Sequence, residues 1–384
     1  MSSVLHFVLH NSVSCCIIKI TNTYYCNYMH METPAITGFP QNAEYSGELL
    51  HRFKSGCRHL ITLDEQSGVF FTKEKNMKIK QDSKLLQKTG VVCLLACICC
   101  LLWGSAFPCI KIGYKLFAID AGDTMTQILF AGIRFTLAGL FTILIGSIPG
   151  KKLLKPTKEA VPDIVKLCLF QTVLQYLFFY VGLAHTSGVK ASIIEASNVF
   201  LAIIVASLIF RQEKLTVKKM AGCLIGFAGV VLINLNGGSV DMSMKLTGEG
   251  FIFFSTIAYA ISSVLLKKYS AHSNPVLLSG YQFLLGGIIM TVCGLIAGGR
   301  IQTVTAGGMG MLLYLALVSA VAYSVWGILL KNNPVSRVTV FGFANPVFGV
   351  LLSAILLQEG SQVLNISALA ALVLVCVGIY TVNA

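Results

Sequence analysis

Two ionisable side chains stand well inside long apolar runs of this sequence, where a charge is expensive and marks a functional position by default. Glu195 lies about two helical turns into the run 188–210. At about 100° per residue, Ala191, Glu195, Asn198, Ala202 and Ala206 share one stripe of that run, with Ile193, Phe200 and Ile204 opposite. A small, polar stripe against a bulky one assigns the first to a bundle interior and the second to lipid. There Glu195 either binds a cationic or amino group or exchanges a proton; the competing roles are an ion pair with Lys190 or Arg134, or solvation near the headgroups. Arg134 lies near the middle of the run 125–148. A guanidinium cannot shed its proton, so it needs an acceptor: a substrate carboxylate, Glu195, or the carbonyls of a helix end.

Neutral polar and aromatic side chains complete the set. Gln171 and Gln175, four apart and therefore on one face of a helix, are followed by Tyr176 and Tyr180. Tyr323 and Trp326 share a later run, Trp103 adjoins Gly104 and Ser105, and Asn345 precedes Pro346. Amides and phenols orient a small polar ligand without a buried charge; their ordinary alternative is interhelical hydrogen bonding and interfacial anchoring. The candidate substrate-binding residues are thus Glu195, Arg134, Asn198, Gln171, Gln175, Tyr176, Trp103, Tyr323, Trp326 and Asn345. No catalytic residue, metal site or cofactor is expected. Glu213 and Glu359, each just past an apolar run, read as structural, with Thr216 placed to cap the helix after Glu213. His185 reads as a solvated loop residue.

Several motif-like strings fail on spacing. Gly146-Ser147-Ile148-Pro149-Gly150-Lys151-Lys152 is too short for a phosphate loop and lacks the following Ser or Thr. Cys97-Ile98-Cys99-Cys100 has no second Cys/His cluster nearby. Asn365-Ile366-Ser367 is a sequon too close to an apolar run for glycosylation, and Gly222-xxx-Gly226 is a small-residue packing motif. HExxH and GxSxG are absent, which argues against an enzyme.

The elements that hold these residues follow from composition. The 384 residues are 55 % hydrophobic and only 12 % charged, with mean hydropathy +0.77. That is about half the charge of a soluble domain, so an all-α integral membrane protein is expected, with lipid as its surroundings. The net charge of +13 lies largely between apolar runs, which points to loops facing anionic lipid and away from nucleic acid. Nine of the 13 cysteines lie inside apolar runs, where a reduced thiol acts as a small hydrophobe.

Ten runs approach the ~20 residues that cross a bilayer: 90–112, 125–148, 164–184, 188–210, 217–236, 248–269, 275–298, 308–330, 336–357 and 363–383. With the N-terminus inside, the short cytoplasmic loops carry 13 Lys and Arg against four on the other side. That bias places both termini in the cytoplasm. The two halves also match: Trp103 and Lys111 pair with Tyr259 and Lys267 at a spacing of 156, and Arg134-Phe135 with Gln282-Phe283 at 148. Tyr176, Phe179, Lys190 and Asn198 pair with Tyr323, Trp326, Arg337 and Asn345 at 147, and Glu213 with Glu359 at 146. Five spans per half is an odd number, so the second repeat must be inverted, an arrangement that places a site at the midplane.

Trp103-Gly104-Ser105 with Lys111-Ile112-Gly113 resembles the opening of an EamA-type repeat of the drug/metabolite transporter superfamily. Ala131-Gly132-Ile133-Arg134-Phe135 resembles its second-helix motif, and the stretch from Ser197 through Arg211-Gln212-Glu213-Lys214-Leu215-Thr216 the end of its fourth helix. Asn345-Pro346-Val347-Phe348 leading to Glu359 is the second-half counterpart. Val199-Phe200 stands where the second half has Pro346-Val347, so a kink is expected in one half only. The resemblance covers about 90–383 and implies a ten-helix transporter of small metabolites, often outward.

The expected organisation is a poorly ordered cytoplasmic extension (1–89), a first five-helix repeat (90–236), a linker (237–247) and a second repeat (248–384). Met77-Lys78-Ile79-Lys80 opens a basic segment that is an alternative start. The expected activity is secondary transport of an amino acid, amine or similar compound across the plasma membrane by alternating access, with protons as the coupling ion if Glu195 titrates. An anionic metabolite or nucleotide sugar is the competing substrate class, and a membrane scaffold or receptor the competing role. The spacing specifies no oligomeric state.

Overall fold

Each of the ten apolar runs carries helix in the computed structural model, which describes residues 84–384 except 121, 187, 235–244 and 357–365. Among the described residues every regular element is helical. The chain divides at Lys88, and the unit Thr89–Ala384 holds every helix named here. The extension and the linker expected at 1–89 and 237–247 fall mostly outside the described residues.

In chain order, α1 is Thr89–Leu116, α2 Thr124–Ser147 and α3 Lys158–Ala184. Helix α4 comprises Gly188–Ala196, Asn198–Ile204 and Val205–Ile209, and α5 is Val217–Asn234. Helix α6 is Leu246–Tyr269, α7 Pro275–Ile296 and α8 Ala306–Asn332. Helix α9 comprises Val335–Thr339, Val340–Phe343 and Ala344–Leu356, and α10 is Ile366–Asn383. Eight of these, all but α5 and α10, are long and apolar enough to cross a membrane. The chain is a multi-pass membrane protein.

The starts are chemically specified. Asp123 caps α2, its Oδ1 accepting from Thr126 N at 3.0 Å. That hydrogen bonding by Thr126 holds the Asp123 carboxyl below its ordinary pKa. Asn274 caps α7 through Val276 N (2.9 Å) with Pro275 in the first turn, and Thr305 caps α8 through Gly308 N (3.0 Å).

Glycines set the closest packing. Gly132, Gly139 and Gly146 of α2 recur every seven residues, and Gly280, Gly287 and Gly294 of α7 repeat them 148 residues later. A Cβ at Gly139 would sit under 3.0 Å from Leu284 N, and one at Gly287 equally close to Thr136 N. These two contacts map onto each other under the 148-residue shift, as do Gly132 on Thr291 and Gly280 on Ile143. Helices α5 and α10 meet in the same way: a Cβ at Gly222 would crowd Gly378 O, and one at Gly378 would crowd Gly226 N.

Two expectations are corrected. Helix α4 is interrupted at Ser197, whose N–H and Oγ both turn back to Ile194 O (2.9 and 2.6 Å). Helix α9 passes through a 3-10 segment at Val340–Phe343, before Pro346. Both halves are therefore irregular just ahead of Asn198 and Asn345, although the first has no proline there. Phe200, expected to face lipid, is half-buried against Phe227 of α5 and Phe343 of α9, with ring centroids at 5.6 and 6.1 Å.

Candidate functional site

A cavity of about 120 Å³ lies between α1, α2, α3, α4, α6, α8 and α9. That leaves room for several waters or part of a small metabolite. Eight expected residues reach it: Trp103, Arg134, Gln175, Tyr176, Glu195, Asn198, Tyr323 and Asn345.

Gln171 and Trp326 do not. Gln171 is buried at 1 % exposure within a π-helical stretch, Cys168–Leu174. The wider π turn breaks the i, i+4 alignment, so Gln175 faces the cavity while Gln171 turns from it. Trp326 lies one layer behind Trp103, their rings edge to face at 5.0 Å.

Glu195 is half-buried at the cavity wall and makes no hydrogen bond or ion pair with another described residue. The side chain of Lys190, one partner considered for it, lies outside the described atoms. Arg134, the other, turns elsewhere: its Nη2 donates to Ser319 Oγ at 2.9 Å, and its guanidinium lies 5.1 Å from the Phe135 ring centre. Its Nε has no partner, although the residue is only 4 % exposed. Gln175 Oε1, Asn345 Oδ1 and Trp103 Nε1 are likewise unpartnered on the cavity wall. Buried polar atoms are normally satisfied, so the wall offers a ligand donors at Arg134 and Trp103, acceptors at Gln175 and Asn345, and the carboxylate of Glu195.

The floor of the site repeats itself across the two halves. Tyr176 Oη and Tyr323 Oη, 147 residues apart, share a hydrogen bond of 2.9 Å. Phe135 and Phe283, 148 apart, stack at 5.3 Å and 8°. Arg134 bonds Ser319, and at the corresponding positions Thr172 Oγ1 donates to Gln282 Oε1. In this last pair the charge is present once: Arg134 reaches the cavity, whereas Gln282 is wholly buried.

Sequence reasoning passed over Tyr259, Ser255, Thr256, Ser192 and Gly342, all on the wall. Tyr259 matches Trp103 and Gly342 matches Glu195 at the repeat spacings, so the internal match contained both. The hydroxyls of α6 carried no such signal. Glu213 is structural as expected: it accepts from Ser336 N (2.9 Å) and pairs with Lys219 (2.7 Å), tying the α4–α5 turn to the start of α9. Glu359 lies outside the described residues.

The sequence matches the EamA-like transporter family over 90–235 and 246–384. An uncharacterized transporter of Archaeoglobus fulgidus is 29 % identical over 289 residues, covering 73 % of this chain and 94 % of that protein. A protein of Escherichia coli (strain K12) named "Probable amino-acid metabolite efflux pump" is 27 % identical over 310 residues, covering 77 % of this chain and 94 % of its own. A solved crystal structure shares the fold at a TM-score of 0.61 and 17 % identity, covering 76 % of this chain and 96 % of that one.

Proposed function

The chain belongs to the EamA-like transporter family, and from that premise we propose a secondary transporter that exports an amino acid, an amine or a similar small metabolite. Two inverted five-helix repeats, 90–236 and 248–384 around a 237–247 linker, enclose the cavity with ten membrane-spanning helices and open it alternately to each side. The contacts that recur at 147–148 residues support this arrangement. The loop charge bias supports cytoplasmic termini in a plasma-membrane protein.

One observation carries the substrate reading. Glu195, with no partner among the described residues, stands on a cavity wall that also presents the free Nε of Arg134. A carboxylate and a guanidinium in one small chamber match a zwitterion, the carboxylate holding the ammonium end and Arg134 the carboxylate end. A relative named for amino-acid metabolite efflux agrees. Glu195 also serves as the proton site if transport is proton-coupled.

The test is uptake of a radiolabelled amino-acid and amine panel into proteoliposomes holding the full chain, with and without an imposed pH gradient. Saturable, orientation-dependent flux of a member of the panel is expected. Flux confined to anionic metabolites, insensitive to Glu195, would overturn the zwitterion reading.

A further inference from the structure

Arg134 carries a charge that no described residue balances. It is 4 % exposed and forms no ion pair with a described Asp or Glu. Among the described residues its one hydrogen bond runs from Nη2 to the neutral hydroxyl of Ser319, and its Nε meets no acceptor. A buried guanidinium keeps its proton, and a buried charge without a counter-charge is strongly destabilising. The zwitterion proposed above, on which the substrate part of this inference rests, supplies that counter-charge only while it is bound.

The corner around Arg134 is built of donors. Tyr176 and Tyr323 share one hydrogen bond between two hydroxyls, so one of their two phenolic protons is left over, and both residues line the cavity. Trp103 Nε1 is unpartnered, and its ring packs edge to face on Tyr323 at 5.0 Å. The Arg134 guanidinium and the Tyr176 ring both lie against Phe135, at 5.1 and 4.3 Å from its ring centre. This continuous set of contacts gathers a guanidinium, a phenol and an indole N–H on one stretch of the wall. The second half has no equivalent: Gln282, which corresponds to Arg134, is wholly buried and accepts from Thr172.

We propose that this corner binds a small monovalent inorganic anion such as chloride whenever no substrate carboxylate occupies it. A single charge is favoured because the cost of dehydrating an ion rises steeply with its charge. Substrates then divide into two kinds. An amino acid brings its own carboxylate to Arg134 and displaces the anion. An amine leaves Arg134 to the anion and binds beside it, with its ammonium on Glu195. Linkage between ligands is reciprocal, so chloride weakens an amino acid and does not weaken an amine.

Tryptophan supplies the reporter. The chain has two, Trp103 on the cavity wall and Trp326 one layer behind it. In the full chain carrying Trp326→Phe, iodide is titrated as a quenching stand-in for chloride, in detergent, with ionic strength held constant by sulfate. Saturable quenching of Trp103 is expected, reversed by chloride and by an amino acid and left in place by the matching decarboxylated amine. Adding Arg134→Gln is expected to weaken the saturable phase about tenfold or more, and Arg134→Lys, which keeps the charge, to preserve it. Linear, collisional quenching, or saturation unchanged by Arg134→Gln, overturns the anion site. If Arg134→Gln does not fold, the Trp326→Phe chain decides: quenching that chloride fails to reverse overturns the site as well. The two readings fail separately. Chloride-reversible saturation that no amino acid of the panel displaces upholds the anion site and defeats the zwitterion, whereas labelled amino-acid flux without saturable quenching defeats the anion site alone.

Discussion

Arg134 and Glu195 play unequal parts although both reach the cavity. Arg134 is already held by Ser319 and the Phe135 ring, whereas Glu195 has no described partner. Removing the charge of Glu195 should therefore cost little structure and much function: Glu195→Gln is expected to insert and elute like wild type, with flux abolished or its pH profile displaced. Wild-type flux with an unmoved profile would remove Glu195 from the site. Arg134→Gln copies the residue that the second half already uses at Gln282. Losing a charged hydrogen bond of ~1.5–3 kcal/mol should weaken a carboxylate-bearing substrate about tenfold to a hundredfold and leave a simple amine nearly unaffected. Competition by amino acid against the matching decarboxylated amine reads this directly. Glu195 and Arg134 were legible because a charge inside an apolar run has few explanations. Gln171 was misplaced because its spacing was read on an α-helix while the backbone there is π-helical, a feature with no residue signature.

Helix pairs α2–α7 and α5–α10 are set by missing side chains more than by large ones. At Gly287 a Cβ would collide with the backbone of Thr136, while at Gly310 on α8 nothing lies within 4 Å. Gly287→Ala should therefore lower thermal stability in detergent by an amount typical of overpacking, ~1–3 kcal/mol. Gly310→Ala should be neutral or slightly stabilising through helix propensity. Equal melting temperatures for the two would remove backbone contact from the account of this seam. The heptad spacing of these glycines was present in the sequence, but apolar runs alone do not say which helix faces which. Run lengths fixed the helices well, whereas the break in α4, where Ser197 turns back to Ile194 O, was not foreseeable from Pro346 in the other half. At the start of α2, Asp123→Ala should cost about 1 kcal/mol as a lost cap, with Asp123→Asn retaining most of it. The Asp123 carboxyl titrates below its unfolded value. Its charge-dependent contribution is therefore complete above about pH 3.9 and lost as pH falls through the folded value. The melting difference between wild type and Asp123→Asn should shrink only in that acidic window.

At the scale of the whole molecule, the two halves share contacts but differ in their fastenings. Lys267 spends its charge on the terminal carbonyls of α8, which carry the negative end of the helix dipole. Its counterpart Lys111 is solvent-exposed. On the alternating-access reading the halves exchange conformations, and Lys111 should then take the equivalent place at the end of α3, beside Leu183. The two lysines then stabilise opposite states. Lys267→Met removes a contact from the state seen here and should raise modification of Cys100, which is fully buried against Phe341 O of α9, by a membrane-impermeant maleimide; Lys111→Met removes one from the other state and should lower it. Each charged hydrogen bond is worth ~1.5–3 kcal/mol, and about 1.4 kcal/mol shifts a population ratio tenfold. The two substitutions should therefore move the labelling rate in opposite directions by about tenfold or more. Substitutions that both raise or both lower the rate would mean that the lysines stabilise helix ends without selecting between conformations. The double substitution adds a control: with both fastenings gone, the rate should return toward wild type, because each state has lost a comparable contact.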